Sequence, residues 1–336
     1  MHGRGVVSQH DRPWHVASPG RAGCRQPHVG RSGRVAIETT LPHRAGYVAV
    51  IGRPNVGKST LVNTLAGSKI SIVTPKPQTT RHRILGVRTT ADCQMVFIDT
   101  PGLHDAGRKA MNRLMNRAAL HAIQDADLLL FMVEANRWTA GDQRALERLA
   151  GTSTPVIALL NKIDKVHPRE ELLRAIDEVA HKFDFAEVIP VSARQGTNLD
   201  RLLGAIPRHL PQSPPYFPPG TVTDRSDEFR AGELIREKLT LCLRQEVPYG
   251  LTVQIEKFER GIKGLEVAGL IWVERDSQKG IVVGKDGGLL KKVGRAVRLE
   301  LKERYRLPVH VELWVKVKEN WADNDEQLHR LGYHSD

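Results

Sequence analysis

Four short stretches of this chain carry residue types that could hold a nucleotide, and they occur in one order. Gly52-Arg53-Pro54-Asn55-Val56-Gly57-Lys58-Ser59 comes first, followed by Asp99-Thr100-Pro101-Gly102, Asn161-Lys162-Ile163-Asp164 and Ser192-Ala193. The first has the Gly-x-x-x-x-Gly-Lys-Ser spacing of a loop whose backbone amides wrap phosphates at a helix N-terminus, where negative charge is favoured. Lys58 is expected to reach the β- and γ-phosphates, and Ser59 to hold Mg²⁺ through its hydroxyl. Asn55, Val56, Gly57 and Thr60 would complete the phosphate contacts.

Asp99 would end a strand as a Mg²⁺-associated carboxylate, acting through water, with Thr100 and Pro101 leading to Gly102, whose amide would meet the γ-phosphate. In Asn161-Lys162-x-Asp164, the Asp164 carboxylate can accept from both N1–H and the 2-amino group of guanine, a pair that adenine cannot present. A site built to satisfy such hydrogen bonds rejects an analogue lacking them by about 10⁴–10⁵. Asn161 and Lys162 would pack the base and brace the loop. Ser192-Ala193 would place the Ala193 amide against the guanine carbonyl. The nucleotides expected are therefore GTP and GDP.

Between the first two motifs lies Pro75-Lys76-Pro77-Gln78-Thr79-Thr80-Arg81-His82-Arg83. One of its threonines could add a second hydroxyl to Mg²⁺ when GTP is present. Thr80 is favoured over Thr79, although spacing does not separate them. Lys58, Thr80 and Gly102 are thus the residues expected to act on the phosphates during hydrolysis. Leu103 stands where many GTPases carry a water-orienting glutamine, and no internal arginine finger, worth about 10³–10⁵ in rate, is identifiable. Slow hydrolysis is expected, helped by a monovalent cation near Asn55.

These loops need strands to carry them. Short apolar runs predict buried parallel strands over 47–51, 95–98, 128–133, 156–160 and 188–191, alternating with helices over 58–66, 111–124, 142–149 and 169–182. That alternation implies an α/β fold with a doubly wound, mainly parallel sheet and ligand at the C-terminal strand edges. The 336 residues suffice for two domains, and the three cysteines, Cys24, Cys93 and Cys242, show no paired spacing. No apolar run is long enough to span a bilayer.

The formal net charge of +12 is uneven. Residues 1–44 hold seven arginines and no lysine against Asp11 and Glu38. They read as a disordered basic extension, with an organellar transit segment the less favoured alternative. The nucleotide-binding domain is expected over 45–206. Six prolines from Pro207 to Pro219 mark 207–227 as a semi-rigid linker. A second domain over 228–333 then reads as helix (about 228–244), strands (about 251–259 and 265–274), a glycine loop, a long helix ending at Tyr305, a strand over 309–317 and a helical tail.

That glycine loop, Gly284-Lys285-Asp286-Gly287 after Val283, has the form of a KH loop, which clamps about four nucleotides of single-stranded nucleic acid. In the helix after it, Lys291, Arg295, Arg298 and Lys302 fall within about 60° at 100° per residue, while Leu290, Val293, Val297 and Leu301 cluster on another face. A basic ridge with no acidic partner thus begins at the glycine loop, and Arg304 and Arg306 would extend it. If about four cations neutralise phosphates, log K should fall with log salt with a slope of about −3. Bases would enter an apolar groove beside 281–283.

Taken together, the chain resembles the Era family of bacterial GTPases over about residues 45–333. The resemblance rests on Gly-Arg-Pro-Asn-Val-Gly-Lys-Ser-Thr, Pro-Gln-Thr-Thr-Arg-His-Arg, Asp-Thr-Pro-Gly-Leu-His, Asn-Lys-Ile-Asp, the Gly-Lys-Asp-Gly loop, Val-Lys-Val-Lys-Glu-Asn-Trp at 315–321 and Leu-Gly-Tyr at 331–333. It implies a P-loop GTPase domain followed by a smaller α+β type II KH domain. It further implies a monomeric factor in small ribosomal subunit assembly that binds the 3′ end of the small-subunit rRNA and not DNA. GTP-dependent RNA affinity, a cytoplasmic location with peripheral contact to the inner membrane, and K⁺-assisted hydrolysis linked to Asn55 are also implied. Two other readings compete: a P-loop enzyme transferring phosphate to a small acceptor, and a passive RNA-binding protein with a structural GTP.

Overall fold

The computed structural model describes residues 43–103, 110–243, 247 and 249–333. The basic extension expected over 1–44 therefore lies outside the described residues, apart from its last two. From Leu41 onward the chain forms one compact unit.

Its first half is built on a six-stranded sheet, β1 (Arg44–Ile51), β2 (Ile84–Thr89), β3 (Cys93–Asp99), β4 (Leu128–Glu134), β5 (Val156–Asn161) and β6 (Glu187–Pro190), in the order β2-β3-β1-β4-β5-β6. All pairs are parallel except β2 against β3. Alternate residues of one strand serve opposite cores, as the period of two demands. Val48 and Val50 join Leu61, Val62 and Leu65 of α1 (Lys58–Ala66) on one face. Ala49 and Ile51 join the opposite core, beneath α2 (Ala110–Gln124), α3 (Ala140–Glu147) and α4 (Arg169–Ala180). With α5 (Leu199–Ala205) on the α1 side, the sheet is doubly wound.

Some elements of this half differ from the sequence expectation. β2 was not expected: its one glycine, Gly86, breaks the apolar pattern, yet a Cβ there would lie 2.5 Å from Ile70, so close packing against α1's exit requires it. α3 starts earlier than 142 because Thr139 caps it in a capping box with Asp142. The proline-rich stretch is strapped to the sheet edge and is no free tether. Gln94 holds the amides of Tyr216 (2.7 Å) and Phe217 (2.9 Å), Val87 donates to Val222, and Tyr216 stacks on Tyr47.

The second half runs α6 (Asp227–Cys242), β7 (Leu251–Gly261), β8 (Gly264–Val273), α7 (Asp276–Val283), α8 (Gly288–Tyr305) and β9 (Val309–Val317). β7 and β8 are antiparallel, while β8 and β9 are parallel. α6, α7 and α8 bury Leu234, Ile235, Val282, Val293, Val297 and Leu301 against Val267 and Ile271 of this sheet. Residues 280–283, left without an element in the sequence reading, form the end of α7. A tail follows, with a 3-10 turn at Trp321–Asp323 and α9 (Asp325–Arg330).

Among the described residues no helix is long and apolar enough to cross a membrane. Cys93 and Cys242 are free thiols.

Candidate functional site

The four motifs converge on one cleft of about 560 Å³ at the C-terminal edge of the parallel strands. Asn55, Gly57, Lys58, Ser59, Thr60, Thr80, Gly102, Asn161, Lys162, Asp164 and Ala193 line it. Val56, Asp99, Thr100 and Ser192 are fully buried behind this wall, and Pro101 is buried beside them. Thr100 acts as a brace, donating from its hydroxyl to the Val50 carbonyl at 2.8 Å.

Two glycines around the phosphates, Gly57 and Gly102, leave no room for a side chain. Gly57 has φ +112, and a Cβ there would lie 2.3 Å from Asn161 Nδ2. A Cβ on Gly102 would lie 2.8 to 3.0 Å from Pro54, so this loop meets the phosphate loop only because Gly102 carries no side chain. Lys58 Nζ donates to the carbonyls of Gly52 and Arg53, both at 3.0 Å, and is poised over the loop. Burial brings the ammonium down to about 8, with Asp99 opposing the fall.

A second corner gathers oxygens. Ser59 Oγ lies 2.8 Å from Thr80 Oγ1, which is 3.3 Å from Asp99 Oδ2. Thr79 turns away, its hydroxyl 2.6 Å from Thr74 Oγ1 and 2.7 Å from the Lys76 carbonyl. Asp99 Oδ1 is buried with no hydrogen-bond partner. Burial pushes the Asp99 carboxyl up, against the hydroxyls of Ser59 and Ser71, the Lys58 charge and the hydroxyl of Thr80. Among the described residues no group of three or more His, Cys, Asp or Glu could hold a metal. Two hydroxyls and one carboxylate with an orphaned oxygen are a hard donor set, and they fit a Mg²⁺ that keeps several waters.

On the base side, Asn161 Nδ2 donates to the Val56 carbonyl at 2.7 Å, tying the base reader to the phosphate loop. Ser192 Oγ donates to Asp164 Oδ1 at 2.7 Å and orients that carboxylate. The Ala193 amide, expected to face a guanine carbonyl, instead donates to Asn161 Oδ1 at 2.9 Å. A buried amide needs an acceptor, and Asn161 supplies it.

Two residues here escaped the sequence reading. Glu134 ends β4 in register with Asn161 and pairs with both Lys162 and Arg53, the latter at 3.3 Å. Burial works against its ionisation, but the Lys162 hydrogen bond and charge outweigh it and hold the carboxyl below its ordinary range. Asp142 receives Arg53 Nε at 3.0 Å on both oxygens. A carboxylate closing a parallel strand, as Asp99 does in β3, was the available signal for Glu134.

The segment 69–82, which ends just beyond Thr80, is gripped by the second half of the molecule along its length. Lys69 Nζ contacts Glu237 at 2.6 Å and Glu300 at 2.7 Å. The Val73 amide donates to Glu237 at 3.0 Å, and Lys76 reaches the Leu243 carbonyl. Arg236, paired with Glu233 at 2.7 and 2.6 Å, donates to the Thr79 carbonyl at 2.5 Å. Arg81 donates to the carbonyls of Leu251 (2.7 Å) and Tyr249 (3.1 Å). His82 stacks on Tyr333 at 4.4 Å and meets Phe229 edge-on at 5.0 Å, and burial pushes its imidazole down to about 3.

The second candidate site is a groove of about 570 Å³ between α8 and β9. Leu290, Gly294, Val311 and Leu313 line it, with Lys291, Arg295 and Arg298 on its rim. The groove lies on β9; of the expected apolar residues at 281–283, Ile281 is half exposed, Val282 is fully buried and Val283 packs on the core. Gly284 and Gly287, both at φ +72, and Asp286 at φ 51 shape the glycine loop, and Lys285 and Asp286 are exposed. Lys291, Arg295, Arg298 and Lys302 form no ion pair with any described residue. Arg304, expected to prolong the ridge, donates to the Lys69 carbonyl at 2.6 Å and belongs to the contact with segment 69–82.

Comparison with known proteins agrees with this geometry. Residues 47–162 match the family described as 50S ribosome-binding GTPase, and residues 246–322 match the KH domain family. GTPase Era of Coxiella burnetii is 48% identical over 292 residues, covering 87% of this chain and 99% of that protein. A crystal structure of Era in complex with MgGDPNP and nucleotides 1506–1542 of 16S ribosomal RNA superposes with a TM-score of 0.84 at 38% identity, covering 87% of this chain and 99% of that one. A variant of Aquifex aeolicus Era bound to GDP·AlF4⁻ gives 0.83 at 38% identity, with 86% and 99% covered.

Proposed function

Because the chain belongs to the Era family of GTPases, we propose that it is a slow, GTP-driven switch that binds the 3′ end of small-subunit rRNA through its KH half and acts in small-subunit assembly. The observation that carries this reading is the double attachment of segment 69–82. One end presents Thr80 to Ser59 and Asp99 in the nucleotide cleft, while Arg236, Leu251 and Tyr333 hold the same segment from the other half.

In this reading the amides of the phosphate loop and the Lys58 ammonium receive the β- and γ-phosphates. Ser59, Thr80 and Asp99 would hold Mg²⁺, which when bound neutralises charge between the phosphates. Thr80, not Thr79, is the sensor, because only its hydroxyl faces Ser59 and Asp99. The Gly102 amide meets the γ-phosphate, and Asp164, held by Ser192, selects guanine. Leu103 packs against the core and has no polar atom to orient water, so turnover is slow. The Asn55 side chain, whose Nδ2 is tied to the Pro75 carbonyl at 3.0 Å, is the candidate K⁺ ligand.

RNA would lie in the α8–β9 groove, its backbone on the glycine loop and on Lys291, Arg295, Arg298 and Lys302, its bases against Leu290, Val311 and Leu313. The protein works as a monomer in the cytoplasm, with peripheral contact at the inner membrane. The test is binding of an oligoribonucleotide from the 16S rRNA 3′ end with GDP and with a non-hydrolysable GTP analogue. Tighter binding in the GTP state supports the reading. A parallel turnover assay in K⁺ and in Na⁺ tests the Asn55 assignment, which equal rates would remove.

A further inference from the structure

The tail beyond β9 makes contacts that neither nucleotide binding nor RNA binding requires. Trp321, Ala322, Leu328 and Tyr333 are buried, and they pack on Ala110, Met111, Leu114 and Met115 in the first half of α2. Trp321 Nε1 donates to the Gly250 carbonyl at 3.2 Å. Asp323 Oδ1 accepts from the Ala110 amide, the first of α2, at 2.9 Å. The tail is therefore moored to a helix of the nucleotide-binding half. From that mooring Tyr333 lies flat against His82, rings 4.4 Å apart and 16° from parallel, while its hydroxyl sits 2.8 Å from Thr252 Oγ1. His82 follows Thr80 by two residues, and Phe229 closes its other side.

From this geometry we infer that the carboxyl-terminal tail is a buttress for Thr80: Tyr333 and Asp323 are positioning residues for GTP hydrolysis, acting through His82 and through the α2 mooring. The physical basis is preorganisation. A sensor threonine on a long loop loses conformational freedom each time it closes on the phosphates, and a loop already pinned beside it has less to lose. Thr80 already stands within hydrogen-bond reach of Ser59 and Asp99, and the Tyr333–His82 stack is the tail's hold on the segment that keeps it there. Asp323 is exposed, so its capping bond to α2 can be removed without opening the core.

The inference rests on the reading of Thr80 above, and the experiment separates the two. GTP turnover, GDP affinity, rRNA oligonucleotide binding and thermal melting are measured on the full chain carrying Thr80→Ala, Tyr333→Leu, Tyr333→Phe or Asp323→Ala. Tyr333→Leu keeps an apolar side chain but removes the stack, and kcat should fall about tenfold, the upper end of what an aromatic pair contributes. GDP affinity and RNA binding should stay within about twofold, because no GDP or RNA contact is touched. Tyr333→Phe keeps the stack but loses the hydroxyl's interactions with Arg81 and Thr252, so its kcat should fall clearly less than that of Tyr333→Leu. Asp323→Ala should lower kcat by about fivefold, the factor a helix cap is worth.

Native turnover in Tyr333→Leu, or an equal fall in Tyr333→Phe, would overturn the inference. If Tyr333→Leu loses its cooperative melt, Asp323→Ala decides alone, and an unchanged kcat there also overturns it. Native turnover in Thr80→Ala would instead remove the reading of Thr80 on which the buttress depends.

Discussion

Arg81 Nη1 lies 2.7 Å from the carbonyl oxygen of Leu251, a bond that ties the residue after Thr80 to the first residue of β7. Leu251 opens the sheet whose far edge, β9, forms one wall of the RNA groove. Under the proposed switch, a displacement of Thr80 on the phosphates would pass to the sheet edge with no flexible linker between them. The proline-rich segment reinforces this, since it is bound along β2 and β3 instead of hanging free.

In the proposed site guanine selection rests on Asp164, which Ser192 orients. Asp164→Ala should weaken GDP binding by a factor on the order of 10² or more and shrink the preference over adenine nucleotides, because two guanine donors lose their acceptor. Ser192→Ala should cost only about fivefold, the worth of one hydrogen bond. Competition of GTP and ATP against a fluorescent GDP measures both. Equal losses in the two variants would mean that Ser192 contacts the base itself.

The ridge on α8 should set the salt dependence of RNA binding. With Lys291, Arg295, Arg298 and Lys302 intact, log K against log salt should have a slope of about −3, and each neutralised residue should remove about 0.7. Arg304→Ala should leave that slope unchanged, since its guanidinium is engaged with the Lys69 carbonyl. Filter binding of the oligonucleotide over a salt series gives the slopes. A change in slope with Arg304→Ala would place Arg304 back on the ridge.

The glycine loop should fail through geometry and not charge. Gly284 has φ +72, and a Cβ there would stand 2.8 Å from Leu289 Cβ and 3.0 Å from its amide nitrogen. Gly284→Ala should therefore strain the loop by about 1–3 kcal/mol and weaken RNA binding correspondingly. GTP turnover measured without RNA should not change. Native RNA affinity in this variant would remove the loop from the interface.

Acid should loosen the junction at Glu233. Burial alone would raise its carboxyl, but the Arg236 guanidinium and its two hydrogen bonds outweigh that and hold it below the ordinary 4.5. A depressed carboxyl contributes stability that is complete above 4.5 and is lost as pH falls through the folded-state value. Glu233→Gln should therefore lower stability near pH 7 by roughly 3 kcal/mol, since it leaves Arg236 buried beside a neutral partner. The deficit should shrink in acid. Denaturant melts of both proteins between pH 7 and pH 3 test this, and a deficit that stayed constant with pH would refute the pairing.

The nucleotide cleft was legible because its chemistry is written in backbone constraints. Gly57 and Gly102 cannot be replaced where Asn161 and Pro54 approach, and each motif ends a strand whose apolar run announces itself. Glu134 offered only its place at a strand end, because its partners Lys162 and Arg53 come from other loops and meet it through the fold. The strand that walls the groove was hidden for a related reason. Periodicity put the basic and apolar faces of α8 correctly, but which strand would face them depends on β8 pairing in parallel with β9. The fate of Arg304 and the docking of the tail on α2 are likewise tertiary facts, resting on contacts more than 200 positions apart in the chain.

The most direct test of a switch is reciprocity. Affinity for a non-hydrolysable GTP analogue is measured with and without a saturating oligoribonucleotide from the 16S rRNA 3′ end, and affinity for that RNA with and without the saturating analogue. If segment 69–82 couples the two sites, each ligand must tighten the other by the same factor, expected to be about fivefold or more, and GDP in place of the analogue should not do so. Identical affinities in the presence and absence of the second ligand would leave two binding sites and no switch.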